Sequence, residues 1–167
     1  MVHFLVEQLR FARAEWVRGV GDISDEDAGC QFEPMNSIAW MVGHLAQHEQ
    51  YFWLEIPQGI TLIDSLNAYG YGQPKSNPPL TEMWHAWHMV TEAVDSYLNT
   101  LSADDLLHHS MVNGQARAEN IGTALGRSTY HYWYHLGEAM AIRQLLGHQH
   151  LAQFVGNLGS QAPYTGE

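Results

Sequence analysis

The sequence holds a single cysteine, Cys30. One thiol excludes an intrachain disulfide framework and a cysteine-based zinc site, and it fits a reducing cytosol. Cations are also scarce: seven Lys and Arg stand against eighteen Asp and Glu, for a formal net charge of −11 with neutral histidines. A nucleic-acid binder neutralises phosphates with clustered cations. No basic cluster is present, so neither nucleic acid nor an anionic membrane surface is an expected partner. Long apolar runs are missing too. No stretch approaches the roughly eighteen apolar residues of a membrane-spanning helix. Glu7, Arg10, Arg13, Glu15 and Arg18 interrupt the beginning of the chain, so no signal peptide is read there. The expected location is cytoplasmic.

What is present is a chain of 167 residues, 46% of them hydrophobic. That length suits one domain with a core large enough to fold without a disulfide or a structural metal. Helical periodicity dominates. Leu5, Leu9, Ala12 and Trp16 share one face of a first helix over about 2–18. A connection over 19–35 follows. Asn36 or Ser37 can cap a second helix that runs to about Glu55, before Pro57. The segment 56–79 is rich in Gly and Pro and is long for a helix–helix connection. It is expected to cross a bundle end and to shape a binding mouth. Thr81 can cap a third helix with an inward stripe of Met83, Trp87, Val90, Val94, Tyr97, Leu98 and Leu101. Ser102 with Asp105 resembles a capping box. Asn113-Gly114 marks a turn or a short extended pair. A fourth helix runs from about Asn120 to Leu146, and Gly147 stands where a left-handed cap is often needed. The tail, 151–167, is expected to pack through Leu151, Phe154 and Val155 or to trail from the domain. Four long amphipathic helices imply an all-α fold, a four-helix bundle.

The chain is rich in histidine, with eleven. On a helix, residues four apart lie about 40° apart around the axis, so two such imidazoles can face one metal. His44 with His48 and His131 with His135 have that spacing. His135 falls on the core stripe Ile121, Leu125, Ser128, Tyr132, His135, Ala139, Ile142, Leu146, with His131 one turn away. Buried imidazoles need partners. A metal would satisfy them, and so would ordinary hydrogen bonds. On the third helix, His85 lies on the solvent side and His88 on the flank, so both read as surface residues. Either His44 or His48 would complete a three-histidine site. Three neutral ligands leave the ion its full charge and open coordination positions. A site without thiolates favours Zn, Ni, Fe or Mn. Glu49 and Glu138 are either hydrogen-bond partners of these histidines or surface carboxylates. The aromatic run Tyr130, Tyr132, Trp133, Tyr134 reads as packing.

Two stretches carry a family resemblance. Ser37-Ile-Ala-Trp-Met-Val-Gly-His44-Leu-Ala-Gln-His-Glu49 resembles the second-helix motif of the DinB-like superfamily, with its YfiT-type metalloprotein fold. Tyr130-His131-Tyr-Trp-Tyr-His135-Leu-Gly137-Glu138 resembles the last-helix motif of that family. The end of the chain, Gln153-Phe-Val-Gly156 to Ala162-Pro-Tyr164, is similar to one subgroup. The resemblance implies a four-helix bundle over 1–150 that holds a divalent metal through His44, His131 and His135. His48 then becomes a nearby polar residue beside Glu49 and Glu138. Some members of the superfamily are metal-dependent transferases that use a low-molecular-weight thiol. The resemblance therefore implies a small-molecule substrate and an S-transferase or detoxifying activity. A non-catalytic metal-binding or small-ligand-binding bundle is the alternative. A homodimer is compatible with either.

Overall fold

Helix boundaries follow the groups that satisfy their orphan amides and carbonyls. The computed structural model describes residues 2–153 and 155–164. The first helix, α1, spans Phe4–Val20 and is capped by His3, whose ring nitrogen accepts from Leu5 N at 3.1 Å. It starts and ends two residues later than the periodicity predicts. The connection after it holds a short helix, α2 (Asp25–Ala28), capped by the Ser24 hydroxyl. Ser37, one of the two predicted caps, accepts from Trp40 N and opens α3 (Ile38–Gln50). A π-helical turn, Tyr51–Glu55, continues it into α4 (Ile56–Gln58). Pro57 therefore lies within a helix rather than beyond one. It is tolerated because it falls in the first turn of α4, where no backbone N–H is required.

The segment 56–79 is not featureless, since it holds a 3₁₀ turn at Asp64–Tyr69. The next helix, α5 (Leu80–Leu98), begins after Pro79 with no side-chain cap, so Thr81 lies inside it. Proline sets the extended entry geometry that a capping side chain would otherwise fix. Ser102 and Asp105 form the reciprocal bonds of a capping box, at 2.8 and 3.3 Å, over the 3₁₀ turn Asp105–Leu107. A hairpin follows, β1 (His109–Val112) and β2 (Gln115–Asn120). Asn113 and Gly114 both have positive φ, 52° and 77°, which is the type I′ turn that strand twist favours. Asn120 caps α6 (Ile121–Leu145) by accepting from Thr123 N at 2.8 Å. At its end Gly147 has φ of 80°, with the paired bonds Gly147 N to Gln144 O and His148 N to Arg143 O. The fold is thus mostly helical, with one small hairpin. Among the described residues no helix is long and apolar enough to cross a membrane.

Contacts group the chain into two units. The first comprises Met1–Asp22, Leu101–His109 and Ala118–Glu167. Here α1 packs on α6, and Val6, Leu9, Trp16, Leu125, Tyr132 and Ile142 are fully buried. The tail also belongs to this unit, held by polar bonds and by the edge contact of the Tyr164 ring on Phe4. Arg18 donates to Gln153 O and to the carboxylate of the buried Glu15, which accepts from Gly156 N at 2.8 Å. The hydrogen bonds from Arg18 hold the Glu15 carboxyl below its ordinary range, against the opposing effect of burial. Leu151 is half-buried and Val155 exposed, and Phe154 lies outside the described residues. The second unit comprises Ile23–Thr100 and Ser110–Arg117, with α3 packed on α5. Of the predicted inward stripe on α5, Met83, Trp87, Val90, Val94 and Leu98 are buried and Tyr97 is half-buried.

Candidate metal centre

On α6 the four-residue spacing brings His131 and His135 face to edge, with ring centroids 4.6 Å apart. Their Nε2 atoms are 3.0 Å from each other. His135 is buried and His131 half-buried. The other ring nitrogen of His135, Nδ1, lies 2.7 Å from Glu138 Oε2. An ionised carboxylate only accepts, so Nδ1 carries the proton and donates. Nε2 of His135 is then left with a lone pair directed at His131. Glu138 is therefore the hydrogen-bond partner that orients His135, and it is half-buried rather than a freely exposed carboxylate.

On α3, His44 is buried and its ring stacks on Trp40, one turn earlier, at 4.7 Å and 16°. Nδ1 of His44 lies 2.6 Å from the backbone oxygen of Tyr69. A carbonyl oxygen cannot donate, so His44 is also protonated at Nδ1 and holds its lone pair on Nε2. The long connection thus reaches the site through a backbone carbonyl rather than a side chain. Tyr69 fits there because position 43 is glycine. A Cβ on Gly43 would stand 2.5 Å from Met83 Sδ and 3.1 Å from the Tyr69 ring. Burial, with the charge of Glu82 second, pushes the Tyr69 phenol above its ordinary pKa.

Gly43→Ala is expected to lower stability by about 1–3 kcal/mol, the usual cost of overpacking. Urea unfolding measures it. An unchanged midpoint would mean that Met83 and Tyr69 move aside freely.

His44, His131 and His135 each offer a ring nitrogen, and these atoms all lie within 4.8 Å of one another. Such a group can hold a metal ion. The donor set passes a chemical test of fit. Zinc bonds imidazole nitrogen at about 2.0–2.1 Å, so two ligands on one ion stand roughly 3 Å apart. The 3.0 Å between the Nε2 atoms of His131 and His135 agrees with that. His44 and His135 have the tautomer a ligand needs, each fixed by an acceptor on Nδ1.

The remaining sequence candidates are placed elsewhere. His48 is half-buried, and its ring lies 4.5 Å from that of Phe52, outside the three-histidine group. Glu49 is fully buried, so it is not a surface carboxylate. His85 and His88 are both exposed on α5. In the aromatic run Tyr132 is buried and Trp133 packs on Phe11, whereas Tyr130 and Tyr134 are exposed. Cys30 is half-buried in its loop, with Sγ 3.5 Å from Glu26 O. One partner of His44 escapes the sequence reading. The Tyr69 carbonyl carries no sequence signal, since every residue has one. Trp40 does, through its four-residue spacing from His44. Compared with models of protein families, residues 8–139 match the DinB superfamily. That range contains all three histidines of the group. No curated protein matches the chain.

Proposed function

The chain belongs to the DinB superfamily, and from that premise we propose that it is a divalent-metal protein whose ligands are His44, His131 and His135. The finer reading is a four-helix bundle that serves as a metal-dependent thiol S-transferase. The single observation that carries the metal is the convergence of three ring nitrogens within 4.8 Å. A bound divalent ion would supply Lewis acidity and make a coordinated thiol or water more acidic. The protein's own part is positional. The Tyr69 carbonyl fixes the His44 ring and the Glu138 carboxylate fixes His135, so two lone pairs are set before any ligand arrives. In the transfer itself a sulfur–carbon bond forms at the electrophile. The leaving group departs with the bonding electrons, and the thiol proton passes to solvent. No cysteine lies in the motifs, which fits a thiol supplied as cosubstrate.

Elemental analysis after loading with Zn, Ni, Fe or Mn tests the metal reading. Stoichiometric metal is expected in the wild type and loss of it in His131→Ala. A wild type that takes up none of these metals would sink it. Turnover of small electrophiles with low-molecular-weight thiols then separates an S-transferase from a protein that only binds its metal.

A further inference from the structure

Within the first unit a cavity of about 420 Å³ lies between α1, α6 and the tail. One wall is α6, with Leu136, Gly137, Met140 and Gln144, and another is the tail, with Leu151 and Ala152. Gly137 stands two residues beyond His135, about 200° around the helix. The cavity is therefore on the other side of α6 from His135. Its volume falls in the range of about 300–1,000 Å³ typical of small-molecule sites. The tail wall is tied in place. Arg18 donates to Gln153 O, and the buried Glu15 carboxylate accepts from Gly156 N at 2.8 Å. A Cβ on Gly156 would stand 2.5 Å from Glu15 Oε1, so glycine lets the chain come this close. Gly137 has the opposite character. It lies inside α6, where glycine is the poorest choice after proline, and a Cβ there would meet nothing within 4 Å. Packing within the chain does not call for glycine at this position, whereas room in the cavity does.

We infer that this cavity is a second site, separate from the metal centre, and that it takes a neutral, mainly apolar small molecule of one or two rings. Leu136, Met140, Leu151 and Ala152 give it apolar walls, and burial of apolar area against them drives binding. Of its described lining residues only Glu15 and Arg18 are charged, and these two are bonded to each other. A charged ligand would leave water without gaining a counter-ion, at a large cost. Gln144 and Gln153 bring amides that suit one neutral polar group on the ring. The room that Gly137 leaves admits a flat ring close to the helix backbone.

The test titrates the full-length protein with two fluorescent probes of one ring system, β-naphthol, which is uncharged in neutral solution, and the anion β-naphthoate. One equivalent of β-naphthol is expected to bind, about tenfold tighter than β-naphthoate. Gly137→Leu fills the cavity from the helix side, so affinity for β-naphthol falls by at least about tenfold. Its Tm is expected to rise by about 2–3 °C, because leucine is the better helix former. A second measurement uses the wild type. With methyl-labelled methionine, the ring current of bound β-naphthol shifts the Met140 signal, and this result decides if Gly137→Leu fails to fold. No saturable binding of β-naphthol at millimolar concentration, equal or tighter binding of β-naphthoate, or an unmoved Met140 signal each overturns the inference. So does a folded Gly137→Leu with wild-type affinity or with a lower Tm, since the fold itself would then need the glycine. Metal content plays no part in the outcome, so failure of the metal reading leaves this test intact.

Discussion

His135→Ala is expected to abolish uptake of divalent metal, with affinity falling by more than about 100-fold. The variant removes one of three converging ring nitrogens. It also leaves the Nε2 of His131 without its neighbour at 3.0 Å and the Glu138 carboxylate without its donor at 2.7 Å. The informative comparison is Glu138→Gln. That change keeps all three imidazoles and removes only the negative acceptor on His135 Nδ1. The amide can still accept through its oxygen, but it no longer polarises the ring. Loss of an oriented acceptor of this kind costs about 10–100-fold in metal affinity. Competition against a chelator of known strength measures both. The expected order is wild type, then Glu138→Gln, then His135→Ala. Equal affinity in wild type and Glu138→Gln would show that Glu138 does not orient the ligand. Equal affinity in all three would exclude His135 from the centre. Circular dichroism separates lost ligation from lost fold.

The second large effect is on stability. Trp16 is fully buried on α1, the helix that packs on α6. Among the described residues its indole N–H has no hydrogen-bond partner, so its contribution is packing and burial alone. Trp16→Ala is expected to cost about 3–5 kcal/mol through lost apolar area and an unfilled cavity. At about 2–4 °C per kcal/mol for a chain of this length, Tm falls by roughly 6–20 °C. Trp16→Phe removes the N–H and some volume but keeps a ring in the site. It should recover more than half of the loss, because no hydrogen bond is given up. Equal losses in the two variants would mean that the N–H has a partner after all. Thermal unfolding followed by circular dichroism gives both values.

The comparison of sequence with structure divides along the range of the forces involved. Signals that act within one or two helical turns were legible. Ser37, Asn120 and the Ser102–Asp105 box cap where their side-chain oxygens suggest. Asn113-Gly114 turns the hairpin, and Gly147 ends α6 with positive φ. The stripe on α5 is buried at five of the positions named above because its period matches the helix. Elsewhere the structure departs from that reading. Thr81 is not a cap, because Pro79 already sets the entry to α5. The helix after α3 runs past Pro57 through a π-helical turn. There the buried Gln50 holds the chain, bonding Glu55 and both backbone groups of Ile63. The tail, expected to pack through Leu151, Phe154 and Val155 or to trail, is tied in its described part by Glu15 and Arg18 as well.

The candidate centre divides the same way. The sequence alone determined that His131 and His135 share one face of one helix, because a four-residue step fixes their relative angle whatever surrounds them. It also held the motifs that place the chain in its superfamily. It left His44 and His48 equivalent by spacing, and only the motif separated them. The tertiary structure decided the rest. It set His44, not His48, within reach of the other two ring nitrogens. It set the proton on Nδ1 of His44 by placing a backbone carbonyl there, and it buried Glu49. These outcomes depend on groups 25 residues away, as for Tyr69 and His44, or on backbone atoms common to every residue. A local pattern carries no record of either.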